Sequence, residues 1–152
     1  MRAGDALLLG LPLSLLVAGW SLSQRPETPE LQPATLTCPA GTPPVSTQGN
    51  VRRRGSSEAD FWANATLTLP VCGAGTLSLV ASGTPAAGGA PLLLVSLDGE
   101  PLLETNVLAP RPLKVPVPHA GRLTLAFVND LNRPPQDRNL FVKQLMFRPA
   151  GP

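Results

Sequence analysis

Apolar and small polar side chains alternate along several short segments of this chain of 152 residues. Residues 66–69 read Thr-Leu-Thr-Leu, and residues 76–80 read Thr-Leu-Ser-Leu-Val. A period of two places one set of side chains on a buried face and the other on a wet face, which is the pattern of a β-strand. We predict seven strands, at residues 34–38, 65–70, 76–82, 92–97, 113–117, 123–128 and 140–147.

Turn residues separate these segments. Asp98-Gly99 follows the apolar run 92–97 and predicts a hairpin, because glycine adopts a positive φ without steric cost. His119-Ala120-Gly121 predicts a second hairpin in the same way. Pro116 and Pro118 lack the backbone donor that a central strand needs, so the strand before this turn is expected at a sheet edge.

The composition supports the same fold class. Nineteen prolines, fourteen glycines and few charges argue against a helical bundle and favour short strands with frequent turns. The length allows one domain of ordinary size once an N-terminal segment is set apart. We therefore predict an all-β protein, an antiparallel β-sandwich of about 7–9 short strands.

The N-terminus is typical of a targeting segment. Arg2 precedes an apolar run over residues 7–20 with the small residues Ala18 and Gly19, where a signal peptidase could cut, so residues 1–20 are predicted to be a signal peptide or signal anchor. The run is short for a membrane span, which needs about 20 apolar residues. Asp5 and Pro12 weaken the signal pattern and leave an uncleaved anchor open. The mature chain is expected to be secreted or in the cell envelope, with membrane contact only through an uncleaved N-terminal segment.

The next residues have the composition of a linker. Residues 21–33 are rich in Pro, Glu, Thr and Gln and almost free of apolar side chains, so we predict a Pro-rich linker there. The β-sandwich is expected to occupy residues 34–149.

Two cysteines follow the linker. In an exported chain pairing is the default, and Cys38 with Cys72 is the one intrachain disulfide that two cysteines allow. The bridge would close a loop of about 34 residues and contribute roughly 3–4 kcal/mol in the chain-entropy model. Two reduced, buried thiols are the alternative if the chain is not exported.

Charge gives little support for a nucleic-acid partner. The formal net charge is +2, and the cluster Arg52-Arg53-Arg54 has no aromatic residues interleaved with it for base stacking. We interpret the triplet as a solvated loop and predict no nucleic-acid binding.

Side-chain oxygens concentrate between the last two predicted strands. The loop there carries Asn129, Asp130, Asn132, Asp137 and Asn139. Calcium takes six to eight oxygen ligands, mostly carboxylates and carbonyls, so this loop is a candidate site for calcium or for a polar ligand. An Asx-rich turn that satisfies its own backbone is the alternative, with Arg138 pairing with one of the two aspartates.

Five segments stand in an order that a known family shares. They are Leu79-Val80-Ala81-Ser82-Gly83-Thr84-Pro85-Ala86, Val95-Ser96-Leu97-Asp98-Gly99-Glu100, His119-Ala120-Gly121, Phe127-Val128-Asn129-Asp130 and Asp137-Arg138-Asn139-Leu140-Phe141-Val142. In this order the chain resembles the calcium-dependent xylan-binding carbohydrate-binding modules, over about residues 66–147. The resemblance implies a jelly-roll β-sandwich that binds polysaccharide through calcium at a loop end, without catalysis.

The resemblance also implies roles for particular residues. It makes Asp130, Asp137 and Asn129 the candidate calcium ligands. The candidate ligand-binding residues are Asp130, Asn132, Asp137, Arg138 and Asn139, and of these Arg138 and Asn139 are expected to brace the loop.

The chain departs from the family pattern within this loop. Val128 and Lys143 stand where the family carries acidic residues, Leu131-Asn132 where it carries aromatic residues, and Gln136 where it carries a Glu. Each change removes negative charge or a stacking surface, and calcium affinity follows ligand charge. Trp62, the single Trp beyond the signal segment, is expected in the core or at its rim.

Catalysis finds little support in the sequence. His119 lies in a predicted turn, and the chain has no nucleophile elbow, phosphate loop or pair of metal-binding histidines. Glu100 and Glu104, near Asp98, are interpreted as the wet face of a hairpin. We predict a non-enzymatic protein that binds carbohydrate. A structural or protein-interaction sandwich that has lost sugar binding is the alternative, and a hydrolase would need His119 or Glu104.

Overall fold

The computed structural model describes Cys38 and residues 44–151, and within them the chain forms strands without a helix. The predicted signal segment and linker lie outside the described residues, as does most of the predicted strand 34–38. No helix in the described part is long and apolar enough to cross a membrane. The ten strands are β1 Ser46–Arg54, β2 Glu58–Val71, β3 Gly75–Thr84, β4 Leu92–Leu97, β5 Glu100–Asn106, β6 Arg111–Val117, β7 Gly121–Phe127, β8 Asn132–Arg133, β9 Gln136–Asp137 and β10 Asn139–Pro149.

The strands pair antiparallel throughout and fold into two layers that share β2. The order is β5-β4-β7-β2-β10-β3-β6, with β1 also paired to β2. Residues 65–71 of β2 pair with β7, whereas residues 59–61 pair with β10. Strand β2 therefore passes from one layer to the other, and the predicted jelly-roll-like β-sandwich is confirmed.

The core lies between the two layers. Alternate residues of the strands point into it and are buried, while their neighbours face outward. Each buried Leu or Phe contributes about 1.5–3 kcal/mol relative to an exposed one, so this alternation is the main source of stability. The largest side chains that are fully buried include Phe61, Leu67, Leu77, Leu93, Leu97, Leu123, Leu125, Phe127 and Leu140.

Strand β1 was missed by the sequence analysis. Its sequence, STQGNVRRR, is polar and almost wholly exposed, so no alternation marks it. It pairs with β2 along its length and places Arg54 opposite Glu58 and Arg52 opposite Asp60. The prediction of a loop at Arg52-Arg53-Arg54 is therefore wrong, although the three side chains are solvated as expected.

The two predicted hairpins have different outcomes. Asp98 and Gly99, at φ values of 50° and 92°, form the tight turn between β4 and β5, which pair with each other. His119 and Ala120 also lie in a turn, but β6 pairs with β3 while β7 pairs with β2 and β4. That prediction of a hairpin is wrong because the turn connects the two layers. The edge position predicted for β6 is confirmed.

The predicted disulfide is present. Cys38 and Cys72 are bonded, with their Cα atoms 5.5 Å apart. Cys72 directly follows the last residue of β2, so the bridge ties the segment before β1 to the end of the longest strand. Cys38 itself lies outside any strand.

Candidate functional site

The loop singled out from the sequence connects the two layers. It leaves β7 after Phe127 and enters β10 at Asn139. Within it, Asn132 pairs with Asp137 and Arg133 with Gln136, and these are the two short strands β8 and β9. This small hairpin gives the loop a backbone framework of its own.

Arg138 anchors the loop to the segment before β4. Its guanidinium donates hydrogen bonds to three backbone carbonyls, those of Gly89 at 3.1 Å, Asn129 at 2.6 Å and Ala86 at 2.5 Å. Its backbone N–H donates to the carbonyl of Leu131 at 2.9 Å, which continues the β8–β9 pairing by one step. Five donors in a rigid fork suit arginine to this bridging role.

An ion pair between Arg138 and one of the two loop aspartates was the expected alternative to a metal, and this pair does not hold the turn. Within residues 44–151, the ion pair that the structure contains joins Arg54 to Asp60, and Arg138 pairs with neither Asp130 nor Asp137. The positive charge of Arg138 is directed at carbonyl oxygens. The carboxylates of the loop therefore have no cationic side chain bonded to them within the described chain.

Asn129 is also committed to bracing. Its amide oxygen accepts a hydrogen bond from the N–H of Leu92 at 2.7 Å, and its Nδ2 donates to the carbonyl of Ala90 at 2.9 Å. Both ends of the amide are thus used to fasten the start of β4. The side chain that sequence reasoning named as a calcium ligand points its oxygen at a backbone donor.

Asp137 and Asn139 form the centre of the site. Asn139 Nδ2 donates to Asp137 Oδ2 at 2.9 Å. Thr84, at the end of β3, accepts from the N–H of Asn139 and donates to the carbonyl of Asp137, both at 2.9 Å. These bonds fix the backbone on either side of Arg138 and hold the two side chains next to each other.

Three oxygens of this loop are buried without a hydrogen-bond partner. They are Oδ1 of Asp130, Oδ1 of Asp137 and Oδ1 of Asn139. An unsatisfied buried polar group costs about 1–3 kcal/mol, and more when charged, so these three oxygens make the loop a candidate site for a bound ligand.

A shallow cavity of about 410 Å³ adjoins the loop. It is lined by Gln48, Gly49, Asn64, Ala65, Thr66, Phe127 and Val128. Asn64 connects the cavity to the loop, since its Oδ1 accepts a hydrogen bond from the N–H of Asp130 at 2.8 Å. Apart from the formal glycosylation sequon Asn64-Ala65-Thr66, the polar side chains of β1 and β2 that line this cavity carry no motif. The register shift between Gly49 and Val51 is not visible in the sequence.

The remaining candidate residues lie at the rim. Asn132 is exposed on β8. Gln136 Oε1 accepts a hydrogen bond from the N–H of Ala87 at 3.0 Å, so the residue that replaces the family's Glu also fastens the loop. Ala86 and Ala90 were missed by sequence reasoning because they contribute backbone carbonyls. Thr84 contributes its hydroxyl and was missed because it is distant from the loop in sequence.

The residues that a hydrolase would need are exposed. His119 is exposed, and its Nδ1 lies 2.8 Å from the carbonyl of Ala120. Asp98 Oδ1 accepts from the N–H of Arg122 at 2.8 Å and caps the start of β7. Glu100 and Glu104 are exposed on β5.

Trp62 lies outside the core. It faces outward in β2, is 38% exposed, and lies edge-to-face against Phe141 with ring centroids 5.5 Å apart. On the same face Arg54 Nε lies 3.0 Å from Oδ2 of the buried Asp60. The aromatic partner that the basic triplet lacks along the sequence is thus brought close by strand pairing.

Comparison with solved structures identifies the fold. The chain is similar to a structure of the M60 catalytic domain with the CBM51-1 and CBM51-2 domains from Clostridium perfringens ZmpB, at 16% identity and a TM-score of 0.53. The match covers 72% of this chain and 15% of that one, so the chain spans far less than the length of that protein.

Modules of the family that the sequence resembles are also among the matches. The CBM36-1 domain of a multidomain xylanase from the hindgut metagenome of Trinervitermes trinervoides is 11% identical, with 71% of this chain and 93% of that one covered and a TM-score of 0.46. A CBM36 module in complex with calcium and xylotriose is 11% identical, with 68% and 99% covered and a TM-score of 0.39. At 16% identity the likeness to the Clostridium perfringens structure is one of fold. No family model and no curated protein matches the chain.

Proposed function

We propose that this chain is an exported, non-catalytic carbohydrate-binding domain that recognises a polysaccharide at the loop 129–139, with a calcium ion held in that loop. The observation that carries the proposal is the group of three buried oxygens without a partner, on Asp130, Asp137 and Asn139. Two carboxylates and an amide oxygen are the donors that calcium prefers.

The hydrogen bonds of the loop orient this donor set. Because Asn139 Nδ2 donates to Asp137, the amide oxygen of Asn139 is left free as an acceptor. The amide oxygen of Asn129 already accepts a hydrogen bond from the N–H of Leu92. The third calcium ligand is therefore the amide oxygen of Asn139 and not that of Asn129. Arg138 and Asn129 then act as braces that hold the donor set in position.

A calcium site of this composition would be modest in affinity. No group of three His, Cys, Asp or Glu side chains that could hold a metal occurs in the described part of the chain. Two carboxylates match the double charge of the ion, and fewer charged ligands lower the affinity toward the millimolar range of extracellular modules. The departures at Val128 and Gln136 thus weaken the site without removing its donors.

The adjoining cavity is suited to a sugar chain. Gln48, Asn64 and Thr66 offer hydrogen-bonding side chains, and Val128, which is 43% exposed, offers an apolar surface. Ligand sites commonly combine an apolar lining with a few polar groups that fix orientation. Asn64 would couple the two parts of the site, since it already binds the backbone of Asp130.

The disulfide supports the proposed location. Disulfides persist in oxidising compartments and are rare in the cytosol, so the Cys38–Cys72 bond favours export. In this proposal residues 1–20 are the signal peptide or anchor, and residues 21–33 the linker to a β-sandwich domain at 34–149.

A calcium titration followed by thermal unfolding tests the metal. With calcium at 100 times its dissociation constant, the free energy of unfolding should rise by about 2.7 kcal/mol. At about 4 °C per kcal/mol for a domain of this size, the unfolding midpoint should rise by roughly 10 °C. Asp130→Asn and Asp137→Asn should abolish the shift, while Glu104→Gln, an exposed carboxylate on β5, should leave it intact. No shift at millimolar calcium would remove the metal from the proposal.

A pull-down on insoluble xylan and on cellulose, with and without chelator, tests the sugar. Binding should be lost with Asp130→Asn and with Asn64→Ala. A variant pair that leaves binding unchanged would place the sugar site elsewhere. Calcium-induced stabilisation without any bound glycan would favour the alternative of a structural or protein-interaction sandwich.

A further inference from the structure

Positive charge is concentrated on one outer surface of the sandwich. The layer formed by β1, the first half of β2, β10, β3 and β6 turns one set of alternate side chains toward solvent. We call this surface the basic face. Its outward cations are Arg52, Arg54, Lys114, Lys143 and Arg148.

The register of the strands places these side chains on the same face as Trp62, which is exposed, and its half-buried partner Phe141. Asp60 of β2 lies opposite Arg52 on one side and opposite Phe141 on the other, and Phe141 lies opposite Ser82 of β3. Residues directly opposite in antiparallel strands share a face. Trp62 is two residues along from Asp60, so it shares that face and packs on Phe141.

The acidic residues of the basic face do not cancel its charge. Asp60 is buried and paired with Arg54, so its charge is internally compensated. Glu58, opposite Arg54, is half-buried. Arg52, Lys114, Lys143 and Arg148 make no ion pair within residues 44–151.

The opposite layer has a different outer surface. Its strands present Thr68 and Thr124, whose hydroxyls lie 3.2 Å apart, and charged side chains at Glu104 and Arg122. With Glu100 also exposed on β5, the strands of this layer carry no excess of positive charge. The asymmetry between the two layers is invisible in the overall charge of +2.

The basic face is long enough for several sugar units. On β3 it runs from Ser82, level with Phe141, to Thr76, level with Arg148. Six residues of strand correspond to about 20 Å. A shallow cavity of about 450 Å³ lies at the far end, where Lys114 and Arg148 are among its lining residues.

We propose that the basic face binds a linear acidic polysaccharide, with a sugar ring against the exposed side of Trp62 and successive carboxylate or sulfate groups near Arg52, Lys143, Lys114 and Arg148. The positive charge of this face is complementary to a polyanion. Several cations on one face also create a positive electrostatic potential that attracts a polyanion from solution. The disulfide favours a compartment outside the cytosol, where acidic glycans are the polyanions at hand. A single aromatic platform also suits one stacked ring better than a series of stacked bases. This site is separate from the calcium loop.

Binding of the whole chain to immobilised heparin and polygalacturonate, measured in the presence of EDTA, tests this proposal independently of the loop. Both polymers or heparin alone should bind, and the second result would identify sulfate as the required group. Affinity should fall steeply between low and physiological salt, because exposed charges are screened within about 10 Å at 0.1 M. Neutral xylan should not compete under these conditions.

Two variants and one matched control locate the site. The double change Arg52→Gln with Lys143→Gln removes two exposed cations and should weaken binding about tenfold, which corresponds to about 1.4 kcal/mol. Trp62→Ala should weaken it by a similar factor, and its unfolding midpoint reports whether the fold is intact. Arg122→Gln removes an exposed cation from the opposite layer and should bind like the parent chain.

Three results would overturn the proposal. They are equal loss of binding in the double variant and in Arg122→Gln, equal competition by neutral xylan, and tighter binding of a single-stranded DNA of the same charge. Failure here would leave the calcium loop untouched, because the experiment is carried out without calcium.

Discussion

Asn139 donates a hydrogen bond from Nδ2 to Oδ2 of Asp137 at 2.9 Å, and this bond fixes which end of the amide faces the buried interior of the loop. The amide oxygen is left without a partner beside the free oxygen of Asp137. A neutral amide thus supplies a third oxygen to the site without adding a third negative charge.

Replacing Asn139 with aspartate should change stability and calcium response in opposite directions. Without calcium, the variant loses a donor and gains a like charge next to Asp137, so the free energy of unfolding should fall by about 1–3 kcal/mol. With calcium the stabilisation should exceed that of the parent chain, because affinity rises with ligand charge. Thermal unfolding with EDTA and with millimolar calcium measures both. Gln144→Glu, an exposed amide-to-carboxylate change on β10 away from the loop, is the control and should change neither value. A calcium response that stays at the parent level in Asn139→Asp would argue that this side chain does not face the ion.

Arg138 should be the residue whose replacement damages the loop most. Lysine keeps the charge but cannot reach the carbonyls of Ala86, Gly89 and Asn129 together. We expect Arg138→Lys to lower the free energy of unfolding by roughly 2–3 kcal/mol, since hydrogen bonds from charged donors are the stronger ones. Urea denaturation gives the difference. Arg133→Lys, on the exposed part of the same loop, should cost nothing measurable, and equal effects at the two positions would rule out the bracing role.

Gly83 should not tolerate a side chain. A Cβ at this position would lie 2.7 Å from the carbonyl oxygen of Asn139 and would also meet the ring of Pro91. The backbone of Asn139 would have to move to relieve this contact, so Gly83→Ala should lower the free energy of unfolding by about 1–3 kcal/mol. The substitution should also weaken the stabilisation by calcium, because it displaces the backbone of Asn139, a proposed ligand. Gly73→Ala, where a Cβ meets nothing within 4 Å, is the matched control. Chemical denaturation and calcium titration of both variants check this prediction.

Removing the disulfide should destabilise the domain without altering its core. Cys38 and Cys72 are 34 residues apart, and closing a loop of that length contributes about 3–4 kcal/mol in the chain-entropy model. The variant with both cysteines changed to serine should unfold at correspondingly lower urea concentration. Reductant should lower the midpoint of the parent chain to the same value and leave the double variant unchanged. A parent chain insensitive to reductant would show that the bond adds no stability.

The sequence predicted most of the strands because burial on one face imposes a period of two. The segments at 76–82, 92–97 and 113–117 match β3, β4 and β6 because their inward residues are large and apolar. Strand β1 was not predicted because it is an edge strand with hardly any buried residue, so its sequence shows no alternation. It forms because it pairs with β2.

The site was predicted in part for a similar reason. Asp130, Asp137 and Asn139 stand out in the sequence as oxygen-bearing residues close together along the chain. Their orientation depends on Thr84 and on the carbonyls of Ala86 and Gly89, which are distant in sequence and have no recognisable pattern. Only the fold shows that Asn129 braces the loop while Asn139 offers its oxygen inward.

The sequence by itself determined that this is a β-sandwich with a disulfide and an oxygen-rich loop, because local periodicity, turn residues and residue chemistry are properties of short segments. Tertiary structure alone decided which strands share a layer, since pairing joins residues far apart in the chain. It made the turn at His119 a connection between layers, left three loop oxygens without partners, and set Trp62 on the same face as Arg52. Those outcomes depend on register, which a sequence pattern of period two leaves open.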